Sequence, residues 1–223
     1  GDKSKFSSST DLVYGQDTVM DTYLTNPMST LLGSDLAGRK LVRVDFTKSQ
    51  LEIGGFKAHD YTGDGSFYLL DVPGVCLTLV SPTHHLYNLT VHTINPAIFV
   101  LLGADTCHHA GVLRPTEHLH KGFPCPGDLL AATRRSISAT HFPPPDPAGE
   151  FDLAARISPL LDVAETAYFA DPPTARVSVR KLARFDADVD VFVVLAHDES
   201  IVPVAGPFPT LLNECQWRAK GAR

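Results

Sequence analysis

Val100-Leu101-Leu102-Gly103-Ala104-Asp105-Thr106-Cys107-His108-His109 is the stretch from which the fold of this chain can be read. An apolar run rich in branched side chains ends at a Gly-Ala pair, the pattern of a buried strand running into a tight turn. The turn delivers a carboxylate with two imidazoles behind it. A carboxylate at the mouth of a buried strand has to be hydrated, hydrogen-bonded or bound to a metal. The pattern recurs at Val191-Phe192-Val193-Val194-Leu195-Ala196-His197-Asp198, where a second apolar strand ends on an imidazole and an acid. Two strand ends presenting Asp and His form a donor set that a divalent metal such as zinc can use.

Further strands surround these two. Leu41 to Phe46 alternates in the half-buried pattern, and Leu51-Glu52-Ile53 continues it after the polar turn Thr47 to Gln50. Gly54-Gly55 and Gly63-Asp64-Gly65 punctuate the sheet before a strand at Phe67 to Val72, and Leu86 to Thr93 and Ile98 to Leu102 follow. Short strands separated by turns predict an antiparallel-rich sheet. A helix is predicted over 172–185, with Asp171 as its cap, Pro172 in its first position, and Ala175, Val179 and Leu182 on one face. Residues 1–38 read as a long loop with one short helix. The proline-dense segment 122–150 reads as surface, with a short helix at Asp128 to Arg135. The fold class is α+β, in a single domain over 1–223.

Three stretches resemble the metallo-β-lactamase superfamily, in a subgroup of fungal-type proteins similar to lactone hydrolases. They are Gly63-Asp64-Gly65-Ser66-Phe67-Tyr68-Leu69-Leu70-Asp71-Val72-Pro73-Gly74, then Gly103 to Gly111, then Phe192 to Asp198. The resemblance implies part of a four-layer αββα sandwich and a zinc-dependent hydrolysis of an ester, lactone or thioester. In such a site, metal-bound hydroxide attacks the carbonyl, because zinc lowers the pKa of its water to about 7. Asp105 matches the family's metal-bridging aspartate and His197 its last histidine ligand. His108, His109 and Asp198 are placed behind them, as groups that orient ligands.

The departures are as informative as the match. The family's H-x-H-x-D-H motif is absent, and Pro73-Gly74 is followed by Val75-Cys76-Leu77 where the family has the first His of P-G-H-x-x-G-H. Reading Val75 to Thr83 as inserted material aligns His85 with the second His of that motif. The chain opens on Gly1-Asp2-Lys3 and is read as a domain lacking its first part, with an impaired site and at most partial zinc occupancy. The rival expectation is a catalytically inactive remnant or a binding protein.

Plainer roles compete at each position. A strand-end Asp is commonly an Asx cap of the following turn, and a lone His at a strand end commonly bonds a neighbouring carbonyl. Adjacent residues in an extended segment point apart, so at most one of His108 and His109 faces the site. A separate zinc site from Cys107, His109, His118, His120 and Cys125 has spacings that fit no standard finger. Asp105 and His197 are expected to face one concave edge, with 122–150 on its rim.

Composition excludes several classes. The 223 residues carry a net charge of −6, leaving no basic stripe to neutralise nucleic-acid phosphates. No run approaches the roughly 18 apolar residues of a membrane helix, and the start lacks signal-peptide architecture. Four scattered cysteines do not make a disulfide framework, and a cytoplasmic setting is expected. The sequon Asn88-Leu89-Thr90 is read as chance. No G-x-S-x-G elbow and no phosphate-cradling loop is present. The expected partner is a small ester or lactone substrate.

Overall fold

A computed structural model describes residues 6–7, 9–29, 31–74, 86–92, 99–119, 157–165, 169, 171–196 and 198–202, with 86–92 and 200 described as backbone. The strands are β1 (Leu12–Gly15), β2 (Leu41–Val44), β3 (Glu52–Ile53), β4 (Phe56–Asp60), β5 (Phe67–Val72), β6 (Leu86–His92), β7 (Phe99–Ala104) and β8 (Val191–Leu195). The helices are α1 (Gly33–Leu36), α2 (Ala110–Leu113) and α3 (Pro172–Ala183). Among the described residues β3 to β8 form one six-stranded sheet in chain order, and β1 pairs with β2 separately. Every pair in the large sheet is antiparallel except β7 with β8. The expected α+β class and antiparallel-rich sheet are therefore present.

Strand directions decide where the site can lie. Because β6 is antiparallel to both neighbours, β5 and β7 run the same way, and β8 joins them by its parallel pairing. The C-terminal ends of β5, β7 and β8 thus open on one edge. The Gly63-Asp64-Gly65 turn connects β4 to β5 and lies on the opposite edge. There the Asp60 carboxylate accepts the N–H groups of Gly63 and Gly65, both at 2.9 Å. Hydrogen bonds from Ser66 and Thr62 hold the Asp64 carboxyl down at about 2. This motif builds a turn and stands away from the strand-end edge.

Helix α3 forms as its sequence predicts. The Asp171 carboxylate accepts the Thr174 N–H at 3.2 Å and its hydroxyl at 2.6 Å, Pro172 fills the first position, and Arg180 and Lys181 face the negative C-terminal end. A 3-10 turn at Arg184–Ala187 extends it beyond the helical hydrogen bonding. Ala175, Val179 and Leu182 pack on the face of the sheet that presents Phe56, Ala58, Leu70, Val72, Leu101, Val193 and Leu195. Each such Leu, Val or Phe contributes roughly 1.5–3 kcal/mol on full burial. By alternation Leu69, Val100 and Phe192 face the other way; all three are buried, and Leu69 packs with Val44 and Phe46. Both faces of the sheet are therefore covered.

Two strands were not visible in the sequence. β1 lies in the stretch read as a loop, and exists through its parallel register with β2, Leu12 opposite Leu41. Residues 29 positions apart in the chain cannot announce that pairing locally. β4 lies between the two glycine clusters, and its pattern of buried Phe56 and Ala58 against exposed Lys57 and His59 is a correct alternation in a segment of only five residues. The strand at Leu41 stops at Val44 because the Asp45 carboxylate accepts the Thr47 N–H and starts a 3-10 turn. The sequon falls inside β6, whose backbone pairs with β5 and β7, a poor place for a glycan acceptor. The helix expected at 128–135 and the proline-dense segment lie outside the described residues. Among the described residues no helix is long and apolar enough to cross a membrane.

Candidate functional site at the strand ends

Strand β7 ends in a built irregularity. Its register against β8 shifts between Leu102 and Ala104. A Cβ at Gly103 would stand 2.7 Å from Leu195 Cδ2 and 3.5 Å from Leu182 Cδ2, so glycine lets β7 approach both β8 and α3. Ala104 then takes φ +41°, a left-handed conformation, and the Thr106 N–H closes the turn on the Gly103 carbonyl at 3.0 Å. A non-glycine residue there costs about 1–2 kcal/mol. Ala104→Gly is expected to raise stability by up to about 1 kcal/mol, a rise in Tm of roughly 2–4 °C. A lower Tm in thermal unfolding of that variant would show that the turn is not strained.

Asp105 follows this turn and is half-buried. Across the parallel pair, the Ala196 N–H donates to the Ala104 carbonyl at 2.9 Å. The residues before Asp105 and before His197 are thus joined directly. His197 itself lies outside the described residues, so its convergence with Asp105 is not among the observations. Asp198 is buried and its carbonyl accepts the Ile201 N–H at 3.5 Å, opening a 3-10 turn at Glu199–Ile201.

The two adjacent histidines have different surroundings. His108 sets its ring edge-on to Phe169, with centroids 5.2 Å apart. His109 caps α2, its Nδ1 accepting the Gly111 N–H at 2.8 Å. A nitrogen that accepts this bond carries no proton, so neutral His109 bears its proton on Nε2. Of the five residues of the separate cysteine–histidine zinc site, His120 and Cys125 lie outside the described residues, and Cys107 and His118 differ sharply. Cys107 is fully buried, and burial pushes its thiol up to about 12, with Arg114 opposing and Asp186 reinforcing the rise. A metal ligand needs the thiolate. His118 is exposed beside Glu117 at 3.4 Å.

Three features of the edge gave no signal in the sequence. Arg114 forms a two-point fork on Asp186, Nε to Oδ2 at 3.0 Å and Nη2 to Oδ1 at 2.8 Å, with the acid side chain 2% exposed. The buried Ser178 hydroxyl donates to the Pro73 carbonyl at 2.7 Å. Gly74, at φ +93°, sits so close to α3 that a Cβ would stand 2.3 Å from the Ala175 nitrogen. Asp186 reads as one more acid in a charged stretch with Asp188 and Asp190, and Ser178 as a polar interruption of a helix. Only the fold reveals their partners.

Among the described residues no three His, Cys, Asp or Glu side chains are grouped closely enough to hold a metal ion. The described donors on their own do not fit a zinc centre.

The chain is 36% identical to the metallo-hydrolase mfmC of Annulohypoxylon moriforme over 96% of its own length and 53% of that protein. It is 33% identical to the γ-lactamase FDB1 of Fusarium pseudograminearum, over 99% of this chain and 52% of the relative. It is also 38% identical to a Penicillium brevicompactum protein named cytochrome P450 monooxygenase mpaDE, over 99% of this chain and 23% of that protein. The chain thus spans about half the length of the metallo-hydrolase and the lactamase, and less of the third. No protein-family profile and no solved structure matches it. These relationships, with the motifs at Gly63–Gly74 and Gly103–Gly111, support a place for the chain in the metallo-β-lactamase superfamily.

Proposed function

We propose that this chain is a hydrolase domain of that superfamily acting on a small carbonyl compound, an ester, lactone or thioester, with an impaired metal site in the chain as it stands. The name of one relative, the γ-lactamase FDB1, adds a cyclic amide to the bonds in view. The observation that carries the reading is the hydrogen bond from Ala196 to Ala104, which sets the residues preceding Asp105 and His197 side by side at the open ends of two parallel strands. Asp105 is assigned the metal-bridging position and His197 the terminal ligand. His108, His109 and Asp198 orient them. The six-stranded sheet with α3 on one face is read as one half of the four-layer sandwich, and the Val44–Phe46–Leu69 face as the side toward its second sheet.

Zinc is the group implied, and a sequence without the H-x-H-x-D-H motif and the first His of P-G-H-x-x-G-H supplies fewer ligands than the family uses. Purified protein dialysed against metal-free buffer is expected to keep about one equivalent of zinc or less, and Asp105→Asn to keep still less. Elemental analysis of both forms checks this. Two tightly held equivalents in the unaltered chain would overturn the impaired-site reading. Equal zinc in the two forms would remove Asp105 from the site and favour a catalytically inactive, binding-only protein.

A further inference from the structure

Resting on the reading of Asp105 as a site residue, we propose that Ser178, Arg114 and Asp186 are positioning residues of this site. On this proposal α3 and its 3-10 extension act as one strut that holds the turn after β5 and the segment after β7 in fixed relation.

The strut has two attachments. At its first turn the chain of Pro73-Gly74 lies against Ala175 with no room for a side chain, and in the second turn the Ser178 hydroxyl donates to the Pro73 carbonyl. At its other end Asp186, in the 3-10 turn directly after α3, receives the fork of Arg114. A helix of 12 residues is about 18 Å long, so a single rigid element bridges the two attachments. Between Asp105 and Arg114 the chain is pinned throughout. Cys107 is fully buried, His109 caps α2, and the carbonyls of Gly111 and Arg114 accept the N–H groups of Leu161 and Leu160 at 2.9 and 3.3 Å. Arg176 ties that same 157–165 segment back to α3 through Asp162 at 2.9 Å.

Energetics separate positioning from mere stability. A buried ion pair gives little net stabilisation over apolar side chains of similar volume, because desolvation offsets the attraction. What the pair supplies that apolar residues do not is a fixed two-point geometry. The left-handed Ala104 needs such external constraint, since a strained turn persists only where its surroundings hold it.

The test uses the full chain without metal. In Arg114→Met/Asp186→Leu, thermal unfolding is expected to stay within a few degrees of the unaltered protein. Amide hydrogen exchange in peptides covering 103–109 should quicken at least about tenfold, while β4 and β5 peptides stay unchanged. Ser178→Ala should quicken exchange at Val72 and Gly74. If the double variant does not fold, Arg114→Lys, which keeps the charge but loses the fork, must show the same rise at 103–109. Unchanged exchange at 103–109 in a folded variant overturns the proposal. Titration with Co2+, followed by its visible absorption, adds a readout that stability alone does not move: the folded double variant should bind Co2+ about tenfold more weakly. The Asp105→Asn control separates the two ideas. If it leaves the Co2+ titration unchanged, the reading of Asp105 as a ligand fails while the exchange result still judges the strut.

Discussion

Gly74→Ala is expected to cost about 4 kcal/mol of stability and to lower Tm by roughly 8–16 °C. Two effects add at this position. The φ of +93° is strained for any residue with a side chain, and the added Cβ would stand 2.3 Å from the Ala175 nitrogen and 2.7 Å from the Thr174 carbonyl carbon. Both neighbours are backbone in the first turn of α3, so relief requires moving the helix. That movement would strain the Ala175-to-Asp171 hydrogen bond of 2.9 Å and the Ser178 contact with Pro73. Gly63→Ala is the matching control. Its φ is +77°, but no atom lies within 4 Å of the added Cβ, so it bears only the backbone strain, about 1–2 kcal/mol. Thermal unfolding of the two variants in parallel separates the contribution of crowding from that of φ. Equal losses in both would mean that α3 yields freely at its first turn.

Arg114→Ala is expected to cost up to about 3–5 kcal/mol, because it removes the two-point cationic partner of a carboxylate whose side chain is 2% exposed. The loss should appear as a lower midpoint in urea with an unchanged slope, since the folded state keeps its extent. The comparison with Arg114→Met/Asp186→Leu is decisive. Removing one charge takes the fork away from a buried carboxylate, whereas removing both leaves an apolar contact that is close to neutral. If the single substitution were as mild as the double, the other contacts of Asp186 would suffice and the fork would not be what neutralises it.

Much of this architecture was legible in the order of residues. The apolar stretch Phe67–Val72, the alternating stretch Leu86–Thr93, and the apolar runs ending at Ala104 and Leu195 announced their strands, because a half-buried or fully buried strand must carry such a pattern. Asp171, Pro172 and the Ala175–Val179–Leu182 face announced α3 for the same reason: capping and amphipathic spacing are local properties. The position of Asp105 beyond a Gly-Ala turn was also local, since a Gly-Ala pair closing an apolar run marks a strand end within a few residues.

The rest depended on contacts between distant segments. β1 is a strand only by virtue of β2, and β4 only because β3 and β5 flank it. That β5, β7 and β8 all end on one edge follows from two antiparallel pairings and one parallel pairing, a property of the sheet that no strand carries alone. The cap that His109 places on α2 was equally invisible, because its Nδ1 meets the Gly111 N–H only in the folded turn. The partners of Arg114 and Ser178 stand 72 and 105 positions away in the chain. Local sequence determined the kind of element at most positions, because propensity, capping and burial pattern act within a few residues. Tertiary structure alone decided which strand ends meet and which charges neutralise one another, because those energies exist only once the chain has closed on itself.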